Sequence, residues 1–305
     1  MTDHWVSTYG SVEIEKDQIT LIIPAETQIN KDLPVTTPSI PYAIVRSNIE
    51  FEQGIINFEV KLFDSESTCV IGMAAGLNTE FYGGINILGA PYGFAAYKNN
   101  KWEPAGGVGF GTNLKSDHWY AVKIQTYGST MDLYIDSVLV HSVTYNVTRG
   151  FLNLYLQGKG SVSVRKIQVD TQKPICFVVM QFTEEYNILF KEVIKPTCEI
   201  YGYKVVRADD FYTSGLIIDD ITRSIKECNL VIADITPDNL NVFYEVGYSH
   251  GIGKPTILLS DRKREKLPFD LSPFRTLFYD NTIGGKSIVE ERLRKHLAAI
   301  TKSQT

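Results

Sequence analysis

A chain of 305 residues, 44% hydrophobic and 21% charged, has ordinary globular composition and is long enough for two cores. The net charge of −5 is uneven: residues up to Asp170 carry 12 Lys and Arg against 17 Asp and Glu, and the remainder carries 18 of each. An acidic first half and a neutral second half lack the clustered cations that phosphate contacts need, which argues against nucleic acid as a partner.

The start, Met1-Thr-Asp-His-Trp5, has neither a basic n-region nor an apolar h-region, and no window of 18 apolar residues follows. The expectation is a cytoplasmic protein with no signal peptide and no membrane span, in which the sequon Asn146-Val-Thr148 has no consequence. Cys69, Cys176, Cys198 and Cys228 form no CxxC pair. They read as reduced core thiols rather than disulfides or metal ligands, and no metal or bound cofactor is expected.

Up to about Asp170 the hydrophobicity alternates with period two. In Ile56-Asn-Phe-Glu-Val-Lys-Leu62, the residues Ile56, Phe58, Val60 and Leu62 share one face, while Asn57, Glu59 and Lys61 take the other. Tyr120-Ala-Val-Lys-Ile124 and Met131-Asp-Leu-Tyr-Ile-Asp136 repeat the pattern, and the second turns at Asp136-Ser137 into Val138-Leu-Val140. Gly83-Gly84 and Gly106-Gly107 read as turns or bulges. Short strands without a helical stretch predict an antiparallel sandwich over residues 1–170. Tyr82, Tyr92 and Trp102 offer a binding surface, though aromatics in a sandwich are more often core. Retaining glycosidases hold two carboxylates about 5–5.5 Å apart, which in a strand means acids two residues apart on one face. Asp132 and Asp136 are four apart, and Glu13 and Glu15 lie at the polar start of the chain, so no glycosidase is read here.

Thr171-Gln-Lys-Pro174 is a short polar joint, and from Ile175 the rhythm becomes strand, helix, strand, helix. Ile175 to Met180 is a continuous apolar run suited to a buried parallel strand. Tyr186, Leu189, Phe190, Val193 and Ile194 follow at helical spacing, with Pro196 predicting a kink or an early stop. Tyr203 to Val206 is a second strand. Ser214 is an N-cap candidate for a helix presenting Ile217, Ile221 and Ile225. Further strands are expected at Asn229–Ala233, Thr256–Leu259 and Arg275–Tyr279, and a closing helix through Val289, Leu293, Leu297 and Ile300. Five strands alternating with helices over 174–305 predict an α/β doubly wound parallel sheet with flavodoxin-like order.

In such a sheet the carboxyl ends of the strands collect the ligand-binding groups. Those ends deliver Gln181 and Phe182, then Arg207, Asp209 and Asp210, then Asp234, Asn239 and Asn241. The helix starting near Asn241 brings Glu245 in its early turns, with Tyr244 beside it and Tyr248 one turn on. Each has a plainer role as well. Glu245 suits the helix dipole, Asp234 can bond its own loop, Arg207 and Asp209 can pair, and Tyr244 and Tyr248 can pack at the helix–sheet seam. His250 suits a capping or surface position, and Arg262-Lys-Arg-Glu-Lys266 suits a solvated loop.

Two resemblances follow from these segments. Ser47 to Val60, Trp119 to Ile124, Met131 to Val140, Gly150 to Tyr155 and Val162 to Val169 resemble the strands of concanavalin-A-like jelly-roll domains. Phe177-Val-Val-Met-Gln-Phe182, Gly202 to Asp210, Ile232-Ala-Asp-Ile-Thr236, Asn241 to Tyr248 and Leu267-Pro-Phe-Asp270 resemble the nucleoside 2-deoxyribosyltransferase-like and TIR-like domains. The second resemblance implies Glu245 as catalytic carboxylate and a substrate with an N-glycosidic bond. In this sequence Gln181 stands where relatives often have proline, and Asn239 where the transferases tend to carry an acid.

A carboxylate beside C1′ can stabilise or trap an oxocarbenium-like centre. A neutral purine leaves only with a general acid, whereas nicotinamide leaves NAD as a cationic pyridinium and needs no proton. One carboxylate without a partner acid therefore favours NAD, as substrate rather than cofactor. The expectation is an NAD-cleaving N-glycosidase, regulated by a sandwich that senses a small-molecule or glycan ligand or drives homo-oligomerisation; the resemblance suggests an antiphage context. The alternatives are a nucleoside deoxyribosyltransferase or nucleotide N-glycosidase, and a non-catalytic nucleotide-binding or interaction module joined to a lectin.

Overall fold

The computed structural model describes residues 5–23, 40–75, 79–208 and 217–302, and the chain forms two compact units, the first of residues up to Gln172 without Tyr127–Thr130, the second of Tyr127–Thr130 and the residues from Lys173 onward.

The strands of the first unit are β1 (Trp5–Tyr9), β2 (Val12–Ile14), β3 (Gln18–Leu21), β4 (Tyr42–Phe51), β5 (Gly54–Lys61), β6 (Thr68–Ala75) and β7 (Thr79–Ile87). They continue with β8 (Ala90–Lys98), β9 (Lys101–Val108), β10 (Trp119–Tyr127), β11 (Thr130–Ile135), β12 (Val138–Thr144), β13 (Gly150–Gln157) and β14 (Ser163–Thr171). One seven-stranded sheet runs β1-β4-β13-β6-β7-β8-β9 and the other β12-β11-β10-β5-β14-β3-β2. The chain switches sheets repeatedly, giving a jelly-roll sandwich.

Alternation makes the core. Ile56, Phe58, Val60 and Leu62 are buried, and they pack with Ile71, Phe81, Ile85, Phe94, Ile124, Leu133 and Leu154 from both sheets. The turn at Asp136-Ser137 has φ of 48° and 69°, the mirror-image turn whose twist matches the two flanking strands. Gly83 and Gly84 fall inside β7 rather than at a turn. A Cβ on Gly83 would lie 2.5 Å from the Phe94 ring, so glycine there admits a large core side chain. The four cysteines are buried free thiols.

The second unit contains β15 (Ile175–Val179), α1 (Glu184–Leu189), a π-type turn (Phe190–Ile194), α2 (Lys195–Ile200), β16 (Lys204–Arg207), α3 (Ile217–Glu227) and β17 (Leu230–Asp234). After these come α4 (Leu240–Gly251), β18 (Thr256–Asp261), β19 (Thr276–Tyr279) and α5 (Ile283–Lys302). The strands form one parallel sheet, ordered β16-β15-β17-β18-β19, or 2-1-3-4-5 counted within the unit. Ile221, Ile225, Val242 and Val246 cover one face of the sheet. Leu189, Phe190, Val193, Val289, Leu293 and Leu297 cover the other.

Pro196 does not stop the first helix. A π-type turn precedes it, and the helix runs on through Lys195–Ile200 with proline in the first turn of that segment. Ser214 lies outside the described residues, and α3 carries Ile221 and Ile225 inward as its spacing predicts. No helix of the described residues is long and apolar enough to cross a membrane.

Candidate functional site

The order of the parallel strands reverses at β15, so a crevice opens between the carboxyl ends of β15 and β17. A cleft of about 650 Å³ occupies it, with lining from Val178–Phe182 at the end of β15 and just beyond, Ala208 after β16, Ile217, Ile218 and Ile221 of α3, and Asn239, Asn241, Val242, Tyr244 and Glu245.

Asn239 sets the geometry of α4. Its side-chain Oδ1 accepts from the backbone N–H groups of Asn241 (3.0 Å) and Val242 (3.4 Å), capping the helix. Starting there, α4 turns Val242, Glu245, Val246 and Ser249 inward, the i, i+3, i+4, i+7 stripe of a packed helix. Three of those four are residues that suit a core; the fourth is a carboxylic acid in the second turn of the helix. Glu245 is 7% exposed, and among the described residues its carboxyl meets no hydrogen-bond donor or cation. Burial alone pushes its pKa up to about 7. A carboxyl kept in that state at a switch-point cleft is available to a ligand, because it is committed to nothing else.

The other strand-end residues divide into two groups. Gln181, Phe182, Asn239, Asn241 and Tyr244 line the cleft with Glu245, although the Asn239 oxygen is spent on the cap. Phe182 and Tyr244 are half exposed at its rim. Arg207, Asp234 and Tyr248 are not among the lining residues. Arg207 is buried, donates to Asn187 Oδ1 at 2.8 Å, and lies over the rings of Phe190 (4.4 Å) and Phe182 (5.1 Å), so it backs Phe182 rather than facing the cavity. Tyr248 packs in the seam between α4 and the sheet. Asp209 and Asp210 lie outside the described residues.

Asp234 is turned away and fully engaged. Its Oδ1 accepts from the backbone N–H of Thr236 at 2.9 Å and from the Thr236 hydroxyl at 2.5 Å, while Oδ2 accepts from the Tyr279 hydroxyl at 2.6 Å. Burial raises its pKa to about 6, and these three donors act against the rise. Sequence reasoning missed Arg264, which is not part of a merely solvated loop. It donates to the carbonyls of Ile235 (2.7 Å) and Thr236 (2.9 Å) and to Asp238 Oδ1 (2.5 Å), bracing the segment that leads into α4. Nothing local in Arg262–Lys266 signals this, since the partners lie 26 to 29 residues away. His250 stacks on Phe274, centroids 4.0 Å apart, and burial lowers its pKa. Among the described residues no cluster of His, Cys, Asp and Glu is arranged to hold a metal ion.

No family model matches the chain, and no curated protein does. Among solved structures, a carbohydrate-binding module of family 66 from Bacillus subtilis is 10% identical and covers 56% of this chain and 99% of its own, with a TM-score of 0.45. A Bacillus licheniformis beta-glucanase is 12% identical over 57% of this chain and 94% of its own, with a TM-score of 0.40. A protein of unknown function with a galectin-like fold, also from Bacillus subtilis, is 11% identical over 56% and 92%, with a TM-score of 0.39. These are loose likenesses between sandwiches. The jelly roll described above rests on its own strand pairing.

Proposed function

We propose that the second unit is an N-glycosidase that hydrolyses NAD to nicotinamide and ADP-ribose, with Glu245 facing the anomeric carbon. The supporting observation is the unpaired, buried carboxyl of Glu245 at the switch point of the sheet. Ionised, it is a desolvated anion without a counter-ion among the described residues, and a cationic pyridinium or an oxocarbenium-like C1′ supplies one. As the C1′–N bond breaks, its electron pair neutralises the pyridinium nitrogen, water adds at C1′, and the proton of that water passes to Glu245 or solvent. Strand order 2-1-3-4-5 and the motifs Ile232–Thr236 and Asn241–Tyr248 support reading the unit as flavodoxin-like and as a relative of the deoxyribosyltransferase-like and TIR-like domains. On this reading the protein is a cytoplasmic effector, its sandwich regulates the cleavage through a ligand or self-association, and antiphage defence is a fitting context.

One observation favours a second reading. Among the described residues no Lys or Arg lines the cleft, so it suits the base and ribose of a substrate better than its phosphates. A nucleoside deoxyribosyltransferase or nucleoside N-glycosidase acting on neutral substrates would use the protonated Glu245 as an acid. Incubating the full chain separately with NAD, nicotinamide riboside and deoxynucleoside pairs, and separating the released bases by chromatography, distinguishes the two. Nicotinamide release supports the first reading; base exchange between deoxynucleosides with NAD intact supports the second.

A further inference from the structure

The sandwich has a cleft of its own, on the outer face of the sheet that contains β7. Cross-strand register builds it. Arg46 on β4 pairs with Asn153 on β13, Asn153 with Gly72 on β6, and Gly72 with Tyr82 on β7, so these four residues form one row across the sheet. Glu80, Tyr97 and Trp102 form the row on one side of it, and Tyr155 pairs with Ile44 and Val70 in the row on its other side, all on the same face. The missing side chain of Gly72 leaves a hollow in the first row. Asn153 lies down into it, with Oδ1 where a Cβ on Gly72 would come within 1.8 Å. The result is a cleft of about 480 Å³ with a polar floor and aromatic walls.

The floor is tied together by hydrogen bonds and buried at its centre. Asn153 Nδ2 donates to Glu80 Oε2 at 3.0 Å and to the Tyr82 hydroxyl at 2.8 Å, and that hydroxyl donates to Glu80 as well. Asn153 is 3% exposed, and its Oδ1 is a buried acceptor without a donor among the described residues. Arg46 lines the same cleft, so one guanidinium and one carboxylate face it together.

The walls decide what kind of ligand fits. Trp102 meets Tyr82, Tyr97 and Tyr155 at interplanar angles of 57°, 55° and 70°, while Tyr42 and Tyr155 stack on each other at 27°. No pair of parallel rings stands open to sandwich a flat base. Tilted rings instead cradle a puckered ring through its C–H faces. One charge of each sign suits a neutral ligand, and Arg46 opposes the cation that an aromatic cage with a carboxylate would otherwise attract. Carboxylate, amide and guanidinium together both accept from and donate to hydroxyl groups.

We propose that this cleft is a saccharide-binding site for a neutral mono- or disaccharide unit, with Trp102 and Tyr155 as the apolar platform and Glu80, Asn153 and Arg46 as hydroxyl partners. It is independent of the N-glycosidase reading, and either can fail alone.

The test is binding of the full chain to an array of immobilised neutral mono- and disaccharides, followed by calorimetric titration of the best free sugar, with tetramethylammonium and adenosine as comparison ligands. Trp102→Ala removes the platform at an edge strand, and Glu80→Gln keeps the shape while removing the charge, which preserves the test should the first variant fold poorly. The expected result is saturable sugar binding, weakened at least about tenfold by each folded variant. Absence of sugar binding, sugar binding indifferent to both substitutions, or tighter binding of tetramethylammonium or adenosine would overturn the assignment.

Discussion

The hydroxyl of Tyr279 donates to Asp234 Oδ2 at 2.6 Å, and this contact separates two carboxyls that sequence alone places in one crevice. Asp234 is held by Tyr279 and Thr236 beneath the loop, whereas Glu245 lines the cleft without a partner among the described residues. Both have raised pKa values from burial, to about 6 and about 7, yet only Glu245 faces a space a substrate can enter.

Replacing Tyr279 with Phe should therefore act on stability rather than on the site. The loss of a buried hydrogen bond to a carboxyl corresponds to about 1.5–3 kcal/mol. Urea unfolding of Tyr279→Phe is expected to show this loss, while turnover per folded molecule stays within about twofold of the parent.

The ionisation of Glu245 should mark the pH dependence of folding. Its pKa rises from an ordinary 4.5 to about 7, so between those values the folded chain retains a proton that the unfolded chain has released. Stability from this group accordingly falls as pH rises through that window, by about 3 kcal/mol in all. Glu245→Gln removes the dependence. Thermal unfolding should place the variant above the parent at pH 8, with the gap closing towards pH 5.

Activity should follow the same group with the opposite slope. If the carboxylate form stabilises C1′, kcat/KM for NAD rises with pH, has its midpoint near 7 and is flat above it. A profile falling above pH 7 would instead identify Glu245 as an acid and favour neutral nucleosides.

Asn239 should matter through the helix it caps. Asn239→Ala removes the acceptor for the Asn241 and Val242 N–H groups and is expected to cost about 0.5–2 kcal/mol of stability and to lower kcat. Asn239→Ser restores a capping oxygen and should recover most of both, as measured by unfolding and initial rates. A direct substrate contact by the amide would leave Asn239→Ser as impaired as Asn239→Ala.

What was legible in the sequence is what repeats locally. Ile56, Phe58, Val60 and Leu62 announce a one-sided strand, and Val289, Leu293 and Leu297 announce a one-sided helix. The position of Glu245 in the early turns of α4 was legible from the helical run after Asn241, whereas the capping role of Asn239 was not. Contacts between distant positions were not. Arg264 to Ile235, Arg207 to Asn187 and Tyr279 to Asp234 bring together residues 20 to 45 apart, and their pairing depends on which strands become neighbours. The sandwich cleft is a stronger case, since Asn153 reaches Glu80 and Tyr82 across 73 and 71 positions and only the strand register reveals the hollow at Gly72. Pro196 signals an irregularity but not a stop: a π-type turn of five residues precedes it and the helix continues to Ile200.

The most direct test of the central claim is nicotinamide release from NAD by the purified full chain beside its Glu245→Gln variant. The parent is expected to release nicotinamide, and the variant to show a fall in kcat of about 10²–10³-fold with its fold intact by circular dichroism. No release by the parent, or equal release by both, would contradict it.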